Sequence, residues 1–130
     1  MDVAAAAVVL APALALGSFL NVVAVRVPAG RSIVRPPSSC GSCATEILRR
    51  DNVPLLSYLL LRGRCRHCAE RISPLYPAVE LVSAALIVAC FAVLGVTARA
   101  ALASGACALL VTLSVMAARE RGAVSRASSR

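Results

Sequence analysis

Two Cys-x-x-Cys pairs, Cys40 with Cys43 and Cys65 with Cys68, stand on an arginine-rich stretch enclosed by long uncharged apolar runs. This arrangement confines the fold strongly, because a polar, metal-ready loop has to be carried by segments that themselves suit lipid. Val3 to Val25 contains no charged residue, Pro77 to Ala98 contains only Glu80, and Ala100 to Ala118 contains none. A helix rising about 1.5 Å per residue crosses a hydrocarbon core of about 30 Å in roughly 20 residues. Each run meets or approaches that length. The apolar content of 59% includes only two Phe, two Tyr and no Trp, so the surplus is Ala, Val and Leu, unlike the core of a soluble domain. The expected fold is an all-α membrane protein with about three transmembrane helices and a small cytoplasmic zinc-ribbon-like loop.

The 14 basic residues are all arginine and give a net charge of +8. Nine lie between Arg26 and Arg71, four between Arg119 and Arg130, and Arg99 alone separates the second and third runs. Cytoplasmic loops carry the Lys/Arg excess, which puts the loop and the C-terminus in the cytoplasm and the N-terminus outside. The first run reads as a retained helix rather than a cleaved signal peptide: Asp2 precedes it without a basic residue, and Arg26, Arg31 and Arg35 follow it at once. Membrane lipid is an expected partner, since arginines at the interface meet anionic headgroups. Nucleic acid is not, because the loop offers only Tyr58, Tyr76 and His67 beside its charge.

The chain divides into a first transmembrane helix at 1–25, the cytoplasmic tetracysteine loop at 26–78, the second and third transmembrane helices at 79–118, and a basic tail at 119–130 whose small polar composition predicts disorder. Gly17 and Asn21, four residues apart, share one face of the first helix. An Asn in lipid requires a partner, so this face is expected to pack against another helix. In the loop, Asn52 is expected to cap a short helix with Pro54 in its first turn and Gly63 as its stop. Leu55, Leu56, Leu59 and Leu60 then form a stripe lying either over the metal site or on the membrane surface. Glu80 is expected in the first turn of the second span, where a helix N-terminus favours a carboxylate. No internal repeat stands out in the sequence.

Paired thiols at this spacing point to zinc, since each pair presents two thiolates from one tight turn and two turns complete a tetrahedron. Four thiolates around a divalent cation leave a charge of about minus two, which Arg35, Arg64 and Arg66 are placed to offset. A loop this short cannot fold on hydrophobic burial alone, so the metal would supply much of its order. Two rival uses of the cysteines fit less well: disulfides conflict with a cytoplasmic face, and a redox pair wants a thioredoxin-like setting of alternating strands and helices. His67, inside the second pair, reads as a surface residue. Cys90 and Cys107 read as small packing residues within the apolar runs.

With those residues in view, the chain resembles the N-terminal part of the bacterial type IV prepilin peptidases, membrane enzymes that remove prepilin leaders and methylate the new N-terminus. Four stretches carry the resemblance: Gly-Ser-Phe-Leu-Asn-Val at 17–22 with Arg26 and Pro28; the cysteine pairs; Asp-Asn-Val-Pro-Leu-Leu-Ser-Tyr at 51–58 leading to Leu-Arg-Gly-Arg-Cys; and Ile-Ser-Pro-Leu-Tyr-Pro-Ala-Val-Glu at 72–80. Peptide cleavage in that family depends on two aspartates at the ends of later helices, whereas this sequence holds only Asp2 and Asp51. An aspartic dyad needs two carboxylates close enough to share a proton. No residue here is therefore assigned to cleavage, and Glu120, between Arg119 and Arg121, reads as a salt-bridged tail residue.

The resemblance leaves methyl transfer open, with S-adenosylmethionine as donor and Asn21 and Glu80 as the candidates to position or deprotonate the amine. Zinc at Cys40, Cys43, Cys65 and Cys68 would hold the loop. It implies a module in the bacterial inner membrane that acts on a prepilin-like substrate together with a separately encoded aspartyl prepilin peptidase domain. The alternative is a non-enzymatic membrane adaptor or a truncated remnant of that family.

Overall fold

The computed structural model describes the backbone of residues 3–128 and the side chains of residues 7–122. Helix α1 spans Val3–Arg26, a short α2 covers Leu56–Leu60, α3 covers Leu75–Leu94 and α4 covers Ala98–Ser128. A single turn of 3-10 helix occupies Arg49–Asp51. Among the described residues there is no strand, only two isolated bridges, Ser39 with Glu46 and Arg64 with Arg71. Three helical segments are long and apolar enough to cross a membrane, Ala7–Arg26, Leu75–Leu94 and Ala98–Gly122, in agreement with the three apolar runs.

The bundle is built inside out relative to a soluble protein. Its contacts are made by Ala13 and Ala24 on α1, Ser83, Ala84 and Ile87 on α3, and Ala100, Ser104 and Ala108 on α4, all buried, while Val93 at 81% and Leu102 at 75% exposure point outward. Lipid tails are as apolar as Leu, so helices gain nothing by hiding large side chains from them. Close approach through small residues is what stabilises such an interface.

The tightest approach is between α1 and α3. A Cβ built on Gly17 would lie 2.8 Å from the Glu80 Cα and 3.1 Å from its carbonyl oxygen, so the absent side chain is what lets the two backbones meet. One turn along, Asn21 donates from Nδ2 to the Tyr76 carbonyl at 3.0 Å. The shared face of Gly17 and Asn21 thus has its partner helix.

The α3–α4 turn is closed by Gly95, whose φ of +66° ends α3, and by Thr97. The Thr97 hydroxyl donates to the Leu94 carbonyl at 3.1 Å and accepts from the Ala100 N–H at 3.3 Å, capping α4. Antiparallel neighbours follow from so short a connection, and both ends of the tetracysteine loop meet at the opposite end of the bundle.

Two sequence expectations change. Residues 119–128, expected as a disordered tail, continue α4 to Ser128, while residues 129–130 lie outside the described set. Helix propensity accounts for this, since Ala, Arg and Glu dominate Ala117–Arg121 and no proline interrupts. Asn52 does not cap α2 but closes the 3-10 turn, its N–H donating to the Arg49 carbonyl at 3.2 Å.

Candidate metal centre and the adjoining cavity

The two cysteine pairs form knuckles of matching backbone geometry. In the first, the Cys40 N–H donates to the Thr45 carbonyl and the Ala44 N–H to the Cys40 carbonyl, both at 3.0 Å. In the second, the Cys65 N–H donates to the Glu70 carbonyl at 2.9 Å and the Ala69 N–H to the Cys65 carbonyl at 3.0 Å. Ala44 and Ala69 both take φ of +57°, and each knuckle is closed by its bridge. This is a structural repeat that the sequence reading missed. Its trace in the sequence is the shared Cys-x-x-Cys-Ala pattern.

The knuckles face each other. All four sulfurs lie within 4.8 Å of one another, with Cys40 and Cys68 Sγ at 3.8 Å and Cys43 and Cys65 at 4.0 Å. Zinc bonds thiolate sulfur at about 2.3 Å, which sets the edge of an ideal tetrahedron at about 3.8 Å. The donor set therefore fits a tetrahedral ion with little rearrangement.

The protonation pattern suits the same reading. The Cys43 thiol is lowered to about 6, first by the Thr45 side chain and then by its backbone N–H. Cys65 is lowered chiefly by the backbone N–H groups of Cys68 and His67. Cys68 is pushed up to about 12: the Glu70 backbone N–H favours its thiolate but is outweighed by desolvation and the three neighbouring cysteines. Four sulfurs at this spacing cannot all ionise unless a cation joins them.

The arginines serve other ends than the sequence suggested. Arg66, expected to offset thiolate charge, forms a two-point ion pair with Asp51, Nη2 to Oδ1 at 2.6 Å and Nε to Oδ2 at 2.7 Å. The bond ties the second knuckle to the 3-10 turn. Arg64 donates to the Ala69 carbonyl at 3.2 Å within its own knuckle. Asp51 is thus a structural carboxylate, and its hydrogen bond from Arg66 holds its pKa below the ordinary 3.8. A lowered carboxylate contributes stability that is complete above its unfolded value and is lost as pH falls through the folded one. Because the thiolates also protonate in acid, the ion pair is best isolated at neutral pH: Asp51→Asn should weaken metal retention in chelator competition while leaving the bundle intact.

Glu80 differs most from expectation. Helix α3 starts at Leu75, so Glu80 lies in its second turn, and its Oε2 accepts from the Leu55 N–H at 2.6 Å. Leu55 itself sits at φ +58°, ψ −48°, and the Leu56 N–H folds back onto the Pro54 carbonyl at 2.5 Å. That is a γ-turn of the rare, strained kind. It aims the N–H of Leu55, the N-cap of α2, at α3, so a carboxylate 25 residues away in sequence takes the place of the expected Asn52 cap. Ser57 secures the same segment, donating to the Arg50 carbonyl at 3.1 Å and accepting from the Val53 N–H at 3.0 Å.

The leucine stripe of α2 does not cover the sulfurs. Leu56, Leu59 and Leu60 are exposed, Leu60 at 72%. Between the loop and the bundle end lies a cavity of about 550 Å³, lined among others by Asn21, Asp51, Ser57, Tyr58, Tyr76 and Glu80. Its volume falls in the range of small-ligand sites. Asn21 and Glu80, named separately from the sequence, therefore share one space with Cys40 and Cys65 on its wall. Asp2 lies outside the described residues.

Residues 12–94 match the bacterial peptidase A24 N-terminal domain. The chain belongs to that family. The matched span contains all four cysteines of the cluster, Asn21, Asp51 and Glu80, so both the cysteine cluster and the cavity fall inside the family's domain. The chain is 53% identical over 77 residues to a prepilin leader peptidase/N-methyltransferase of Myxococcus xanthus, covering 59% of this chain and 23% of that protein. It is 36% identical over 128 residues to the enzyme of that name from Burkholderia pseudomallei strain 1026b, covering 79% and 41%, and 43% identical over 76 residues to that of Bacillus subtilis, covering 58% and 31%. The chain thus spans less than half the length of these relatives. No solved structure matches.

Proposed function

We propose that the chain is the zinc-binding membrane module of a prepilin leader peptidase/N-methyltransferase. The observation that carries this reading is the position of the tetracysteine cluster: it lies in the loop that closes a cavity over the Gly17–Asn21–Glu80 seam. In this role the loop and C-terminus face the cytoplasm, the N-terminus lies outside, and the module sits in the bacterial inner membrane. The exposed apolar flanks of the bundle meet lipid and the apolar helix of a prepilin-like substrate.

Cleavage requires an aspartic dyad, which Asp51, locked to Arg66, cannot supply. On our reading a separately encoded aspartyl partner supplies it. S-adenosylmethionine supplies the methyl group when bound. The cavity has room for a small ligand and a chain terminus, and Asn21 and Glu80 are its candidates to hold the accepting nitrogen.

The mass of a co-expressed prepilin's N-terminal peptide tests this reading, because it reports cleavage and methylation together. Processing only when chain and aspartyl domain are both present is the expected result. Unaltered prepilin in every combination would leave a membrane adaptor or remnant in its place. Glu80→Gln sharpens the test: glutamine still accepts from the Leu55 N–H but carries no charge. Methylation should fall while cleavage persists, and full methylation would remove Glu80 from the site.

A further inference from the structure

Helices α3 and α4 do not close on each other along their whole length. Between them runs a groove of about 500 Å³, lined among others by Val79, Val82 and Leu86 of α3 and by Leu110 and Val115 of α4, and no charged residue lines it. Val79 and Val115 are buried while Val82 and Leu110 are exposed, so the groove has a packed floor and an open side. Its α3 wall runs from Leu75 to Leu86, about 16 Å of helix at a rise of about 1.5 Å per residue. That is about half of a hydrocarbon core of about 30 Å, the depth that the tails of one leaflet fill.

A cation stands at one end. Tyr76 precedes Val79 by three residues and Arg119 follows Val115 by four, so each sits one helical turn beyond the groove on the face that lines it. The second span begins at Leu75 and the third ends at Gly122, which places this pair at the membrane interface. The Arg119 guanidinium carbon is 5.7 Å from the centroid of the Tyr76 ring, a cation–π contact. Arg119 is half-buried, and its Nε is buried without an acceptor. The side chain therefore packs inward instead of reaching for water. No carboxylate neutralises it, since Arg66 with Asp51 is the one ion pair among the described residues. Stacking on an aromatic ring uses the flat face of a guanidinium and leaves the N–H groups at its edge to meet an anion.

We propose that this groove holds one anionic phospholipid, with an acyl chain along α3 and α4 and the phosphate on Arg119. Charge and length together select this occupant. An apolar partner helix would fill the groove but leave Arg119 uncompensated, and inorganic phosphate would meet Arg119 but leave the groove empty. A zwitterionic headgroup brings its own ammonium to compete with the guanidinium, whereas an anionic one does not. Basic pockets between membrane helices bind anionic headgroups in this way. The site shares no lining residue with the cavity under the loop, and it stands independently of the function proposed above.

Native mass spectrometry of the full chain in detergent, titrated with dioleoyl phosphatidylglycerol or dioleoyl phosphatidylcholine, tests the assignment. One phosphatidylglycerol per chain should be retained, at least tenfold more tightly than phosphatidylcholine. Arg119→Gln, a change between two good helix formers, should remove the preference, and Arg119→Lys should keep part of it. Ala78→Phe, which fills the groove from an exposed edge, should lose bound lipid of either kind with helix content by circular dichroism unchanged. Neither inorganic phosphate nor an uncharged leucine-alanine helix of about 20 residues, long enough to span the membrane, should displace the lipid. Equal retention of the two lipids, or a preference that survives Arg119→Gln, would overturn the proposal. Displacement by phosphate would reduce the site to an anion contact, and displacement by the helix would assign the groove to a protein partner; either result also overturns it.

Discussion

Stripping the metal, or replacing Cys65 with serine, will unfold the tetracysteine loop and leave the three-helix bundle standing. The loop has no core of its own. Among its described residues only Ser57 and Gly63 are buried outside the helices of the bundle, and its order rests on two knuckles, the Asp51–Arg66 pair, the Arg26 bonds to the Ser32 and Pro37 carbonyls and one hydrogen bond to α3. Structural zinc in comparable small sites contributes apparent free energies of about 10–16 kcal/mol at neutral pH, more than this loop gains from burial. Hydrogen exchange should therefore show amides across Ser38–Ile72 losing protection on chelation, while those of α3 and the start of α4 keep theirs. Protection retained in the metal-free loop would mean that the metal is not what orders it.

The second large effect is expected at Gly17. A methyl group added there would meet backbone atoms of Glu80 at 2.8 Å and 3.1 Å, and a backbone cannot rotate away as a flexible side chain can. Gly17→Ala should force α1 and α3 apart at a cost of about 1–3 kcal/mol, the usual range for overpacking, and Gly17→Val should cost more. Separation also draws Asn21 from the Tyr76 carbonyl and disturbs the seam that frames the cavity, so function should fall before the fold is lost. Gly105→Ala is the matched control, since nothing lies within 4 Å of a Cβ there and alanine is the better helix former. Unfolding of the detergent-solubilised variants in denaturant would show the first destabilised and the second unchanged or slightly more stable.

Glu80 and Gly17 together explain how the loop is held to the membrane. Gly17 brings α3 close to α1, and the carboxylate on that α3 turn reaches out to the strained turn at Leu55. The two facing knuckles fix the loop internally and Glu80 fixes it to the bundle. Neither contact alone defines the cavity. The Asp51–Arg66 pair joins the two, since it links the second cysteine knuckle to the segment that leads into Leu55.

The amino-acid sequence by itself determined the features that depend on local spacing. Three spans follow from the length of uncharged runs, the four-cysteine cluster from two Cys-x-x-Cys turns, and the packed face of α1 from Gly17 and Asn21 lying four residues apart. Each is a property of one segment, set by helical pitch or by the reach of one turn. Tertiary structure alone decided how single donors and acceptors from distant segments pair. Leu55, not Asn52, is the N-cap of α2, and a carboxylate from α3 stands where the Leu55 N–H points. Arg66 joins Asp51 rather than the sulfurs because the folded knuckle brings its guanidinium to the 3-10 turn. Such pairings turn on the relative placement of segments to within about an ångström, the scale on which hydrogen-bond geometry discriminates, and no periodicity along the chain encodes that distance.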